Sequence, residues 1–405
     1  MGAHPHGADA ATSRVELADI VRWHGAAFCA GRRLSTVQYR ALRAIEACRT
    51  EALGGHVAQC DTCGALRYCY HSCRNRHCPK CQTLAKERWL CARQAELLPV
   101  PYFHLVFTLP HALNVLAQAN ARPIYRLLFQ AAADTLLEFG ANPRWLGGQL
   151  AATLVLHTWG QNLGQHLHIH ALVSAGALHA DGHWIHSRRG FLFPVQALSR
   201  VFRGKFLAGL QRLLHAGSLR LNPVSAELGT GPAARALLRE LRAKPWVVYA
   251  KQPFAGPQQV LDYLGRYTHR VAISNHRLLS LTDTEVRFRY KDYAHGNRRK
   301  LMALPVGEFI RRFLLHVLPA GFMRIRHYGI LANRTKQAKL ARARAALACP
   351  PPEPAPHTPQ TVPTFWLRVA GRDITLCTHC RAGHLHIVRP LGRMHPPAQA
   401  PPPIS

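Results

Sequence analysis

The sequence predicts an α+β fold in three parts, on three observations. Cysteines crowd the two ends: Cys29, Cys48, Cys60, Cys63, Cys69, Cys73, Cys78, Cys81 and Cys91 lie in the first quarter, Cys349, Cys377 and Cys380 near the end, and none between. Within the cysteine-free centre, β-rich runs alternate with helical ones. Proline-rich stretches at 350–363 and 396–403 flank a short final segment and read as linker and tail. The expected parts are a helical and metal-organised module over 1–98, a mixed central domain over 99–345, and a tail over 346–405 with one Cys-x2-Cys pair.

The elements follow in order. Ser35 with Gln38 three residues on is a capping box that opens a helix through Ile45. A second helix is expected from Thr83 to Leu98, a strand at Tyr102–Leu109 and helical pattern over Ala112–Phe139. Thr153–Trp159 and Leu167–Ser174 are strands, and Asp181-Gly182 suits a hairpin turn. Helices at Ser199–His215 and Ala233–Ala243 precede a strand at Trp246–Ala250, and Pro257 suits the first turn of a helix running to about His269. Val286, Phe288 and Tyr290 then alternate with Arg287, Arg289 and Lys291, which describes a strand with one apolar and one cationic face. His295-Gly296-Asn297 is the turn, Arg298, Arg299 and Lys300 open the return strand, and Glu308–Val317 is an amphipathic helix.

Composition narrows the partners. The 405 residues hold 52 Lys plus Arg against 20 Asp plus Glu, a net charge of +32, and are 48% hydrophobic. That apolar share supports a full core and excludes global disorder. The acidic residues are too few to pair the basic ones, so a positive surface faces a polyanion, nucleic acid first. A membrane span is not expected: the most apolar stretch, Leu97 to Ala117, is broken by Pro99, Pro101, His104, Pro110 and His111. Met1 to Arg14 carry no apolar core of a signal peptide, so a cytoplasmic, reducing location is expected and spaced cysteines mean metal.

Cys60-x2-Cys63 and Cys78-x2-Cys81 are two knuckle pairs. Each pair brings two thiolates to one ion from a tight turn, and two pairs complete a tetrahedral structural Zn²⁺ site. Cys73-x3-His77 lies between them and could replace one pair or hold a second ion. Arg74, Arg76 and Lys80 surround the site, as in a module that reads DNA. Cys377-x2-Cys380 has no second pair nearby, though His384 and His386 follow it, and reads as a half-site.

Gln165-His166-Leu167-His168-Ile169-His170 is the most informative run. Alternation on a strand puts His166, His168 and His170 on one face, where imidazoles two residues apart converge on one divalent ion. Three histidines on one face are costly to bury without partners. Tyr263 and Tyr267, four apart on a helix, share a face, with Arg266 and Arg270 beside them. Taken alone that pair is an ordinary core contact; beside a metal-binding strand it becomes a candidate pair of nucleophiles.

A cysteine finger, His168-Ile169-His170 and Tyr263-x3-Tyr267, in that order, resemble the rolling-circle transposases of bacterial insertion sequences. The likeness is to the two-tyrosine class with a His-hydrophobic-His motif, specifically the family named after insertion sequence ninety-one. Ser72 to Gln82 resembles its zinc module, Trp159 to Val173 its metal motif, and Phe309 to Pro319 and Arg324 to Gly329 further signatures. The resemblance implies an HUH-type nuclease domain whose central antiparallel sheet carries His168 and His170 opposite a tyrosine-bearing helix. It implies Mg²⁺ or Mn²⁺ as cofactor, single-stranded DNA at transposon ends and target as substrate, and a 5′-phosphotyrosine intermediate. No nucleotide is needed, and no G-x-x-x-x-G-K-[ST] loop is present. His166 is held in reserve, and Gln161, Gln165 or His166 stand as third ligand. Arg74, Arg76, Lys80, Arg266, Arg270, Arg287, Arg289, Arg298, Arg299 and Lys300 are the expected DNA contacts. Two rivals remain: a non-catalytic zinc-dependent DNA-binding protein, and a nuclease that uses metal-activated water without a covalent intermediate.

Overall fold

A six-stranded antiparallel sheet organises the centre of the chain. The computed structural model describes residues 15–188, 190–221, 223–229, 231–254, 259–260, 265, 271–292, 296–350 and 361–394. Its strands are β3 (Tyr102–Thr108), β4 (Gln149–Trp159), β5 (Gln165–Leu178), β6 (Trp184–His186), β7 (Val248–Phe254) and β11 (Ile325–Gly329). They lie in the order β11-β4-β5-β3-β7, with β6 paired to β5, so the histidine strand is central. The mixed α+β architecture read from the sequence is the one observed.

Two long helices, α5 (Ala121–Ala141) and α6 (Val195–His215), cover one face. Leu167 and Ile169 of β5 point into that core beside Phe129, Phe202 and Phe206, all fully buried. The same parity sends His166, His168 and His170 to the other face. The helical pattern over Ala112–Phe139 is two helices, α4 (Asn114–Ala119) and α5, because Asn120 leaves helical geometry and uses its side chain to bond Leu116 and Arg220 carbonyls. The Asp181-Gly182 turn joins β5 and β6, with Gly182 at φ +103°.

Near the N-terminus, α1 (Leu17–Cys29) and α2 (Thr36–Glu46) precede β1 (Gly55–Cys60), β2 (Leu66–Tyr70) and α3 (Gln82–Gln94). The capping box at α2 is present: Ser35 Oγ accepts from Gln38 N at 3.4 Å, and Ser35 N donates to Gln38 Oε1 at 3.1 Å. Toward the C-terminus, β8 (Leu278–Leu281), β9 (Glu285–Asp292) and β10 (Arg298–Pro305) form a three-stranded sheet followed by α8 (Val306–Leu314). Val286 and Phe288 are fully buried while Arg287 and Arg289 are exposed, as the alternation predicts.

Packing does not follow the boundaries expected at 98 and 345. Leu17, Ile20, Leu42 and Ile45 share a core with Val286, Phe288, Phe309 and Phe313, so the N-terminal helices dock on the β8–β10 sheet. The expected tail is also corrected. Residues 361–394 contain α10 (Val362–Ala370) and β12 (Leu385–Leu391), and β12 pairs antiparallel with β1 in the order β12-β1-β2. Pro-rich composition describes the connection, not the segment beyond it.

His316 ties these bodies together. Fully buried, it donates from Nε2 to the Leu163 carbonyl at 3.0 Å while Nδ1 accepts from Thr158 Oγ1 at 3.2 Å. Burial lowers its pKa to about 4. A depressed folded-state value means the unfolded chain takes up the proton first, so stability is complete above pH ~6.5 and falls as pH drops toward 4. Urea titrations from pH 7 to 4 are expected to show about 3 kcal/mol of this loss in the wild type that His316→Gln does not share.

Candidate metal centres and active site

Strand pairing assembles the histidine site. On β5, His168 Nδ1 donates to the His166 carbonyl at 2.9 Å, which fixes the tautomer and leaves Nε2 as a lone-pair donor. That Nε2 lies 3.1 Å from His170 Nε2. His170 Nδ1 in turn meets His104 Nε2 of β3 at 2.9 Å. Burial, with Lys251 adding to it, lowers the His104 pKa to about 3, so His104 stays neutral; in the tautomer with its Nε2 as acceptor it takes the His170 Nδ1–H and leaves His170 Nε2 as a lone-pair donor. This is the orienting partner that metal-binding imidazoles usually have.

The third donor is His157 of β4, which the sequence reading did not single out. Its register partner is His168, and its ring centroid lies 4.6 Å from that of His170 and 5.4 Å from that of His168. One nitrogen of each of His157, His168 and His170 falls within 4.8 Å of the others. Alternation along β4 puts His157 there: Leu154 and Leu156 lie in the core, so His157 takes the opposite face, where Trp159 stacks on it with ring centroids 4.7 Å apart. Of the expected third ligands, Gln165 is buried on the core side, where Gln118 Nε2 donates to its Oε1 at 2.8 Å. His166 shares the histidine face but stands beside His111, with centroids 5.4 Å apart, outside the converging set. Gln161 offers its backbone carbonyl to Arg277. An all-imidazole set suits Mn²⁺ and later divalent ions better than Mg²⁺, which prefers oxygen donors.

Tyr263 and Tyr267, with Arg266 and Arg270, lie outside the described residues. Val260, three residues before Tyr263, is fully buried in a cluster with Leu172, which is on the histidine face two residues past His170.

Eight of the twelve cysteines fall into two groups of four, and this corrects the expected pairing of Cys60 and Cys63 with Cys78 and Cys81. Cys78 and Cys81 converge with Cys48 and Cys73, not with Cys60 and Cys63. Cys48 Sγ lies 3.5 Å from Cys81 Sγ and 3.7 Å from Cys78 Sγ, and Cys73 Sγ lies 3.6 Å from Cys81 Sγ. A tetrahedron with Zn–S arms of about 2.3 Å has edges of about 3.8 Å, so the cage fits Zn²⁺. Cys81 caps the N-terminus of α3, and hydrogen bonds from the three neighbouring thiols hold its pKa far below the usual thiol range. His77 is outside this group; burial beside Arg76 lowers its pKa to about 3. Cys60 and Cys63 instead meet Cys377 and Cys380. The pairing follows from chain geometry: Cys60 and Cys63 flank the end of β1, whereas Cys48 follows α2 and faces the Cys73–Cys81 loop.

A groove of ≈ 890 Å³ runs beside β11. Arg74, Arg76, Arg93, Arg122, Arg126, Arg324, Arg326 and Lys336 line it, with Trp89; Arg93 and Lys336 are paired with Glu96. His327 at its floor bonds Thr153 Oγ1 at 3.0 Å, on the strand that carries His157. Arg76 is fixed by the Phe322 and Pro319 carbonyls at 2.6 and 3.0 Å. Burial and the nearby Arg76 charge lower the Arg324 pKa to about 10. Arg122, Arg126, Arg324 and Arg326 were not among the expected DNA contacts; they are scattered in sequence and only β11 and α5 bring them together. Among those that were, Lys80 pairs with Glu16, Arg287 with Glu285 and Lys300 with Asp292, while Arg74, Arg289, Arg298 and Arg299 are exposed.

Comparison with known proteins gives the family. The family described as "Transposase zinc-binding domain" matches residues 20–109, and the one described as "Putative transposase" matches residues 151–339. The chain is 50% identical over 378 residues to "Putative transposase y4qJ" of Sinorhizobium fredii, covering 93% of this chain and 95% of that one. It is 30% identical over 329 residues to "Transposase for insertion sequence element IS801" of Pseudomonas savastanoi pv. phaseolicola, covering 80% and 77%. No solved structure matches. With a zinc-binding region, a transposase region and relatives that align over most of its length, this chain belongs to the insertion-sequence transposases of the family named after insertion sequence ninety-one.

Proposed function

We propose that this transposase cleaves single-stranded DNA at its element's ends and transfers the strand through a covalent 5′-phosphotyrosine, in rolling-circle mode. Tyr263 and Tyr267 are the nucleophiles, and His157, His168 and His170 hold Mn²⁺ or Mg²⁺. The observation that carries this reading is the convergence of three imidazoles on the face of the central sheet opposite α5 and α6, beside an arginine-rich groove.

Each group has a task. The groove cations neutralise successive phosphates, and the half-buried Trp89 offers a ring for a base to stack on. His104 keeps His170 in one tautomer, and the His166 carbonyl does the same for His168. When bound, the divalent ion polarises the scissile phosphodiester. A tyrosine oxygen then forms a bond to phosphorus, the P–O3′ bond breaks, and the departing 3′ oxygen takes up a proton. The energy of the broken bond is kept in the tyrosyl ester, so no nucleotide is consumed. The second tyrosine allows a second cleavage before the first link is resolved. Zn²⁺ at Cys48, Cys73, Cys78 and Cys81 holds the N-terminal module, which contributes Arg74 and Arg76 to the groove. No described helix is long and apolar enough to cross a membrane, and we assign the protein to the cytoplasm, where DNA is reached.

The test uses 3′-labelled single-stranded oligonucleotides from the element's ends, with Mn²⁺, on a denaturing gel. The label is expected to migrate with the protein, and Tyr263→Phe combined with Tyr267→Phe to abolish this adduct while binding is kept. Undiminished cleavage by the double variant would mean that water is the nucleophile and would overturn the assignment.

A further inference from the structure

The C-terminal segment closes a cage of thiols that no single stretch of sequence contains. Cys60 and Cys63 stand on one tight turn and Cys377 and Cys380 on another, and one Sγ from each falls within 4.8 Å of the others. Cys60 Sγ lies 3.7 Å from Cys380 Sγ, and Cys63 Sγ lies 3.8 Å from Cys377 Sγ. Those separations match the ~3.8 Å edge of a tetrahedral zinc–tetrathiolate site.

The two turns are built alike. In the first, Gly64 at φ +69° donates its N–H to the Cys60 carbonyl at 3.1 Å, and Cys60 N donates to the Ala65 carbonyl at 3.0 Å. In the second, Arg381 at φ +58° donates to the Cys377 carbonyl at 3.0 Å, and Cys377 N donates to the Gly383 carbonyl at 2.8 Å. Gly383 N also points at Cys380 Sγ, 3.3 Å away. Each turn therefore presents two sulfurs with the local backbone satisfied, the geometry of a zinc knuckle.

Their packing leaves no slack. Asp61 N donates to the His384 carbonyl at 3.0 Å, and His384 N donates to Asp61 Oδ1 at 2.8 Å. A Cβ on Gly383 would lie 2.4 Å from Thr62 Oγ1 and 2.6 Å from Cys60 Sγ, so only glycine lets one knuckle approach the other. Beyond them β12 runs antiparallel to β1, pairing Cys60 with Leu385 and Gly55 with Leu391. Cys60 and Cys377 are almost fully buried, 3% and 2% exposed, although the surrounding β2 and β12 residues are mostly exposed. With little apolar burial to hold β12 in place, four sulfurs gathered under it are what a metal-closed ribbon requires.

We propose that Cys60, Cys63, Cys377 and Cys380 bind a second structural Zn²⁺ ion, separate from that of Cys48, Cys73, Cys78 and Cys81, which clasps the C-terminal segment to the N-terminal sheet. Binding replaces four S–H bonds with four Zn–S bonds and releases the protons to solvent. The clasp makes residues 361–394 a structural part of the N-terminal module. It is independent of the nuclease reading, because its test counts metal and not cleavage.

The full-length protein, purified under reducing conditions, is expected to carry two zinc ions per chain. Cys60→Ser with Cys63→Ser, Cys377→Ser with Cys380→Ser, and all four together are each expected to carry one. One zinc in the wild type, or equal zinc content in the wild type and the Cys377→Ser, Cys380→Ser variant when His168→Ala and His170→Ala are present in both, would overturn the proposal. Gly383→Ala keeps every thiol and is expected to lose the same ion; retention of two ions at wild-type affinity would count against the clasp. Thiol titration of the denatured wild type is expected to find all twelve cysteines reduced; four fewer would mean that the cage closes by disulfides and not by metal.

Discussion

Replacing His157 with alanine is expected to lower Mn²⁺-dependent cleavage of single-stranded DNA by more than about 10²-fold. Loss of an orienting partner one shell out typically costs about 10–100-fold in metal affinity or activity, and His157 is one of three direct donors, so at least that much follows. Binding of the same oligonucleotide should change by less than about twofold, because the groove cations of α5 and β11 carry that interaction and not the imidazoles. His104→Phe, which removes only the partner of His170 Nδ1, is expected to fall within the 10–100-fold range and to recover with added Mn²⁺. The measurements are initial cleavage rates across a Mn²⁺ titration, alongside oligonucleotide affinity and thermal midpoint for each variant. Cleavage by His157→Ala at the wild-type rate and the wild-type Mn²⁺ requirement would remove His157 from the site.

Cys48→Ser is expected to release the zinc of the N-terminal module and to unfold α1 and α2. Apparent binding free energies for structural zinc in small modules run to about 10–16 kcal/mol, comparable with or larger than the ~5–15 kcal/mol that holds a whole domain folded. Cys48 and Cys78 sit in the same core as Leu17, Ile20, Leu42 and Ile45, which also meets Phe288 and Phe309 of the β8–β10 unit. Loss of the ion therefore opens apolar packing at both places. Zinc content should fall by one ion per chain, and amide exchange should lose protection over Leu17–Cys29 and Thr36–Glu46 while the six-stranded sheet keeps its own. Unchanged zinc content in Cys48→Ser would return the assignment to the two knuckle pairs that the sequence spacing suggests.

Local signals in the chain proved sufficient for its local structure. The Ser35–Gln38 capping box, the Asp181-Gly182 turn, the apolar and cationic alternation through Val286–Lys291 and the parity of His166, His168 and His170 each depend on residues within one or two turns of each other. The order of cysteine finger, histidine strand and tyrosine pair was enough to point to the transposase family, because that order is itself a property of sequence.

Pairing across the chain was decided elsewhere. His157 is eleven residues from His168; alternation with Leu154 and Leu156 gives its face, but only the pairing of β4 with β5 sets it opposite His168. Cys60 and Cys78 look like partners because they are close in sequence. The pairing of β12 with β1 brings Cys380 to Cys60, and Cys48, just past α2, meets Cys78. The groove combines Arg74, Arg122 and Arg324, 250 residues apart at the extremes, which only the packing of α5 and the N-terminal module beside β11 of the central sheet makes neighbours. By itself the sequence determined which side chains could do the chemistry, since that rests on residue type and periodicity. The tertiary structure decided which of them meet, because register and docking are set by burial summed over the whole core.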